Sequence, residues 1–161
     1  MSAKKAARAD SSVFSRYKLE VIMKYAISAR NQFEGIVRNI NEGAVNGIVT
    51  LDVNGSDVSA TISMSAIQEL DLKEGDAAVA VIKATEVMVG KGELKLSARN
   101  QFPGEVIAVE EGAVNGIVKI KALGDNVISA TISMAAIKEL DLEPGAEATA
   151  VIKATSVMIG K

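Results

Sequence analysis

The residues able to do chemistry form one set that occurs twice. Ser28, Arg30 and Lys83 return as Ser97, Arg99 and Lys153 inside identical flanks, Ser-Ala-Arg-Asn-Gln-Phe at 28–33 and 97–102 and Val-Ile-Lys-Ala-Thr at 81–85 and 151–155. Ser59-Ala60-Thr61-Ile62-Ser63-Met64 returns at 129–134, and Gly43-Ala44-Val45-Asn46-Gly47 returns at 112–116. The polar members are hydroxyls, a guanidinium, an ammonium and the backbone N–H groups of small residues, and all of these donate hydrogen bonds. A pocket of donors with no carboxylate nearby suits a small oxyanion and repels a metal cation. Taken singly, each position has a blander explanation. Lys83 and Lys153 interrupt apolar strands, where a lysine usually marks an edge or extends its head to water, and a Ser and an Arg two positions apart simply share a strand face.

The missing residue types exclude other chemistries. The chain of 161 residues has no Cys and no His. Disulfides, thiolate metal sites, cysteine nucleophiles and imidazole-dependent catalysis are thereby removed. Lys and Arg number 18 against 20 Asp and Glu, a net charge of −2 that gives no overall case for nucleic acid. Single-strand binding also needs aromatic platforms, and Phe14, Tyr17, Tyr25, Phe33 and Phe102 are the whole supply. No apolar run is long enough to span a membrane, and the N-terminus lacks the apolar core of a signal peptide, so a soluble, cytoplasmic protein is expected.

The elements that position the repeated residues follow from the same duplication. Residues 28–91 recur as 97–161, a period the size of a small domain rather than of a solenoid repeat. We expect residues 1–22 to be a poorly ordered extension, 23–91 a first domain and 92–161 a second. The extension has two other readings, a nucleic-acid-binding arm or a partner helix, and Met23 is a candidate start. With 48% hydrophobic but only 3% aromatic residues, the cores must be built from Ala, Val, Ile and Leu, and part of that surface is expected to close an oligomer interface.

In the first repeat, strands are predicted over 27–40 and 48–53, the latter alternating Val49, Leu51 and Val53 with Thr50 and Asp52. Asn54-Gly55 is a hairpin signal leading into 58–63, and the second copy has one extra residue near Gly124-Asp125-Asn126. A short helix is predicted over 65–70 with Ser65 as its cap; Ala135 replaces that serine in the second copy, leaving a weaker cap or one at Ser133. Residues 77–89 are predicted as one long final strand, with 90–93 as the only linker. The fold class expected is all-β with one short helix per domain, in two tandem OB-like five-stranded Greek-key barrels.

Ser-Ala-Arg-Asn-Gln, Glu-Gly-Ala-Val-Asn-Gly and Val-Ile-Lys-Ala-Thr-x-Val-Met, in this order and spacing, resemble the molybdenum-pterin-binding (Mop) domain, also called TOBE. Two such domains resemble the di-Mop molbindins. The resemblance implies a non-catalytic cytoplasmic protein that stores or buffers molybdate or tungstate, without a cofactor, assembled as a homotrimer with oxyanion sites between subunits. It implies one kind of site from Ser28, Arg30, Lys83 and the N–H of Ala84, with Ser63 reaching in from a neighbouring domain. The second repeat would supply Ser97, Arg99, Lys153, Ala154 and Ser133. A second kind of site would lie near the symmetry axis, built from Gly43, Ala44, Val45 and Asn46 and from Gly112, Ala113, Val114 and Asn115.

An alternative implied by the same domain is a molybdate-sensing module that acts through a separate partner. No helix-turn-helix pattern fits into residues 1–22 and no Walker A loop occurs. An enzyme is not expected, because the repeated positions hold no pairing of nucleophile and base. No nucleic-acid and no membrane partner is expected.

Overall fold

The computed structural model describes residues 26–161. The expectations for residues 1–22, Met23 and Tyr25 lie outside the described residues. Among the described residues, ten strands and two short helices form two five-stranded antiparallel sheets that curl into OB-like barrels.

In the first repeat these are β1 (Asn31–Asn41), β2 (Asn46–Val53), β3 (Ser56–Ser63), α1 (Met64–Glu69), β4 (Ala77–Ile82) and β5 (Met88–Gly90). The second repeat gives β6 (Asn100–Glu110), β7 (Asn115–Ala122), β8 (Asn126–Ser133), α2 (Met134–Glu139), β9 (Glu147–Ile152) and β10 (Met158–Gly160). Asn54 and Gly55 both have positive φ, 51° and 87°, the geometry that lets a two-residue turn match the twist of β2 and β3. In the second copy Leu123 and Gly124 take that geometry with φ of 55° and 73°, one position earlier than the extra residue had indicated.

The predicted long final strand is not one strand. It stops at Ile82, passes through a 3-10 turn at Ala84–Glu86, and resumes as β5. The turn sends β5 into the other sheet. The first sheet has the order β10-β4-β1-β2-β3 and the second β5-β9-β6-β7-β8, so each sheet takes one edge strand from the other repeat. Met158 pairs with Val81, and Met88 with Val151. The borrowed strand also lies against the far edge of its host sheet, β10 near β3 and β5 near β8, which curls each sheet towards closure.

Alternation along the strands builds the core. Val49, Leu51 and Val53 are buried while Thr50 and Asp52 are half-exposed, as a strand with one face inward requires. The buried residues of both repeats, from Phe33, Leu51 and Ile82 to Phe102, Ile120 and Ile152, form one continuous cluster. Two units too small to bury much apolar surface separately thus share a core.

Four side-chain hydrogen bonds, two from each of two asparagines, also join the repeats at the strand edges. Asn31 donates to the carbonyl of Ser129 at 2.9 Å and accepts from its N–H at 2.8 Å; Asn100 does the same with Ser59, both at 2.8 Å. Ser59 and Ser129 lie on β3 and β8, the outermost strands, so each asparagine supplies the pairing that an edge strand otherwise lacks.

Candidate functional site

β1 and β4 run antiparallel, with Asn31 opposite Ile82 at the last pair of their ladder. Arg30 precedes Asn31 and Lys83 follows Ile82, so both cations leave the sheet at the same end. Ser28 shares the exposed side of this segment with Arg30, while Ala29, Asn31 and Phe33 alternate inward. The Gln32 amide donates to the carbonyl of Ala29 at 3.2 Å, and Gln101 donates to Ala98 at 2.9 Å, which pins the Ser-Ala-Arg segment in each copy. β6 and β9 repeat the arrangement with Asn100 opposite Ile152, bringing together Ser97, Arg99 and Lys153.

Lys83 and Lys153 cap the two 3-10 turns in extended conformation, with φ and ψ of −69° and 138°, and −66° and 140°. Ala84 and Ala154 are the first residues of those turns, where an N–H has no partner within the turn itself. Among the described residues, none of Arg30, Lys83, Arg99 and Lys153 forms an ion pair, whereas Arg38, Lys73, Lys119, Lys121 and Lys161 all do. Each end therefore presents a hydroxyl, two cations outside any ion pair among the described residues, and a backbone N–H with no partner inside its turn. Such a set can hold an anion through charge-assisted hydrogen bonds.

Ser63 and Ser133 belong elsewhere. Each caps its helix, accepting from the N–H of Ala66 or Ala136 at 3.0 Å, so the cap is Ser63 and not Ser65. A serine oxygen that accepts this bond keeps its O–H free to donate. Ser63 pairs with Asn46, and the Met64 N–H donates to the Val45 carbonyl at 2.8 Å, placing the hydroxyl beside the Gly43–Asn46 loop. Ser133 pairs with Asn115 and lies in the same way beside Gly112–Asn115. Within one repeat β1 separates this group from Ser28, Arg30 and Lys83. β3 also approaches the second repeat's turn, with Ser59 bonded to Asn100, and β8 approaches the first repeat's turn, with Ser129 bonded to Asn31.

The glycine that opens each loop is required by space. A Cβ on Gly43 would collide with the carbonyl oxygen of Asn46, and one on Gly112 with that of Asn115. The loop tips, Val45 and Val114, are 74% and 75% exposed, the most exposed of the large apolar side chains among the described residues. Apolar tips of this kind fit a contact surface better than a solvent-facing loop.

Three features escaped the sequence reading. Asn31 and Asn100 are 1% exposed and bridge the repeats, and their signal was an amide on the face that carries Ala29 and Phe33. The exchange of β5 and β10 left no local mark. The expectation of no nearby carboxylate needs correction, because Glu86 sits in the turn directly after Lys83 and Ala84. Its signal was the one position at which the two Val-Ile-Lys-Ala-Thr-x-Val-Met runs differ.

Among the described residues no helix is long and apolar enough to cross a membrane, and no group of acidic side chains is placed to hold a metal ion. The chain is 39% identical over 140 residues to the molybdenum transport protein ModE of Herbaspirillum seropedicae, a match covering 85% of this chain and 52% of that one. It thus spans about half the length of the ModE proteins it matches. A probable molybdenum-pterin-binding protein of Haemophilus influenzae is 60% identical over 67 residues, 42% of this chain and 97% of its own length. A crystal structure of the cytoplasmic molybdate-binding protein ModG with molybdate bound superposes with a TM-score of 0.81 at 40% identity, covering 83% of this chain and 97% of that one. The TOBE domain model matches residues 27–89 and 96–159, and the protein belongs to the TOBE domain family as a tandem pair of the Mop type.

Proposed function

We propose that this protein reversibly binds molybdate or tungstate, without catalysis, as a cytoplasmic store or buffer. The observation that carries the reading is the convergence of Ser28, Arg30, Lys83 and the Ala84 N–H at one sheet end, with both cations lacking a carboxylate partner. The likeness to molybdate-bound ModG supports the same ligand. A tetrahedral dianion leaving water needs each oxygen met by a preplaced donor, and charged donors contribute roughly 1.5–3 kcal/mol each. Several together support micromolar or tighter binding.

The sites are completed between subunits of a homotrimer. Ser63 and Ser133, each beside its own repeat's glycine loop, reach the clusters from a neighbouring chain. The exposed Val45 and Val114 loops are the surfaces that meet around the axis, and the Gly43–Asn46 and Gly112–Asn115 backbones form the second kind of site there. Residues 23–91 and 92–161 act as the two binding units. A sensing role is the second reading, favoured by the likeness to ModE; because the match covers only half of that protein, sensing would require a partner.

Native mass spectrometry with molybdate and, separately, sulfate tests the proposal. A trimer that takes up several molybdates and ignores equimolar sulfate is expected. A monomer, or an assembly indifferent to the anion, overturns the storage role.

A further inference from the structure

The five residues after each site lysine are identical except at one position, where the first repeat has Glu86 and the second has Ser156. Both residues end a 3-10 turn that begins at the lysine. The Glu86 N–H donates to the Lys83 carbonyl at 3.0 Å, and the Ser156 N–H to the Lys153 carbonyl at 2.9 Å. Each side chain is therefore one tight turn from its cluster. The turns also meet each other, since the Ser156 hydroxyl donates to Glu86 Oε2 at 3.1 Å. No described cation pairs with Glu86, so its charge is uncompensated where the two turns meet.

We propose that Glu86 sets the affinity of the two clusters and makes them unequal. Its carboxylate opposes a bound dianion, and the Ser156 hydroxyl fixes where that charge sits. This rests on the reading of the clusters as oxyanion sites. In a strong donor set, one fixed like charge weakens retention and so keeps capture reversible. Because only one repeat carries the acid, a chain built from two nearly identical sequences presents two grades of site. At the dielectric of a protein surface, a single charge one turn away changes dianion affinity by about three- to ten-fold.

Calorimetric titration of the full chain with molybdate tests this, using Glu86→Gln, which keeps the side chain's length and an oxygen for Ser156, alongside Ser156→Ala. Wild type is expected to bind in two affinity classes. Glu86→Gln should tighten the weaker class about three- to ten-fold, with the gain shrinking as NaCl rises from about 20 to 300 mM. Ser156→Ala should shift the two classes relative to each other without abolishing either. Equal affinities for wild type and Glu86→Gln at low salt, or a gain indifferent to salt, would overturn the role of Glu86 while leaving the sites standing. A folded wild type that takes up no molybdate would instead overturn the oxyanion reading, and this inference with it.

Discussion

The side chain of Asn100 completes both backbone hydrogen bonds of Ser59, accepting from its N–H and donating to its carbonyl at 2.8 Å each. It does so 1% exposed, across the boundary between the repeats. The amide behaves as a short extra strand laid along the edge of β3. Because Arg99 is the residue before Asn100, the same pair of bonds fixes the end of the donor segment. Fold and site therefore share an anchor.

Removing that anchor should be costly. Asn100→Ala leaves two backbone groups of β3 unpaired, each worth about 1–3 kcal/mol when buried. Asn100→Asp keeps the shape but puts a carboxylate oxygen against the Ser59 carbonyl. Both variants should unfold at lower urea than wild type, with molybdate binding weakened in parallel; an unchanged urea midpoint for either would refute the anchoring role.

The site cations should behave in the opposite way. Arg30→Ala and Lys83→Ala each remove one charge-assisted donor from an exposed position, worth roughly 1.5–3 kcal/mol, or about ten- to a hundred-fold in affinity. Neither makes an ion pair among the described residues, so melting without ligand should stay within about half a kcal/mol of wild type. Undiminished molybdate affinity in both would sink the assignment.

Ser63 and Ser133 combine two roles, and different substitutions separate them. Replacing either by Ala removes a helix cap at a cost of about 1 kcal/mol, together with a hydroxyl donor. Replacement by Asp keeps the cap but sets a negative charge where the anion should bind. Ser63→Asp should therefore retain the wild-type melting temperature and lose molybdate binding. Retained binding would exclude Ser63 from the site.

Acid should loosen the grip on the exchanged strand. The carboxyl of Asp76 lies below its ordinary value of 3.8, chiefly because Lys161, the residue after β10, bonds to it, with help from the Lys73 N–H. Asp52 is lowered from 3.8 chiefly by its bond with Arg38 and then by the Gly55 N–H. A group depressed in the folded state stabilises above its unfolded value and loses that contribution as pH falls through the folded one. Wild type should therefore lose stability below pH 3.8, and the gap between it and Asp76→Asn should narrow over the same range. Melts that run parallel down to about pH 2.5 would contradict the coupling.

Self-association should depend on the loop tips. Val45→Glu combined with Val114→Glu puts charge on side chains already 74% and 75% exposed, so the chain should still fold. If the proposed trimer forms through these tips, ultracentrifugation should show wild type as a trimer and the double variant as smaller species. A persistent trimer would move the interface elsewhere.

Local order was legible wherever a local rule decides it. The alternation of Val49, Leu51 and Val53 and the Asn54-Gly55 turn depend on side-chain period and backbone sterics, which a few residues carry. The duplication delivered the donor set, because repeated polar residues stand out against an apolar background. Helix caps were harder. Ser63 and Ser65 are both serines near the start of α1, and only the actual course of the backbone selects the one whose oxygen meets a free N–H.

By itself, then, the sequence determined the two barrels and their hairpins. It grouped Ser28 and Arg30 with Lys83 only through the duplication and the family resemblance; the antiparallel pairing of β1 with β4 is what sets them at one sheet end. Tertiary structure alone decided which sheet each last strand joins. Residues 87–90 and 157–160 are nearly the same sequence and would satisfy either ladder equally, so no local preference distinguishes them. The direction in which the chain leaves Lys83 and Lys153 makes the choice. It also brings Glu86 against Ser156, while the packing of the two sheets turns Asn31 and Asn100 into bridges, because contacts between distant segments depend on the path of the whole chain.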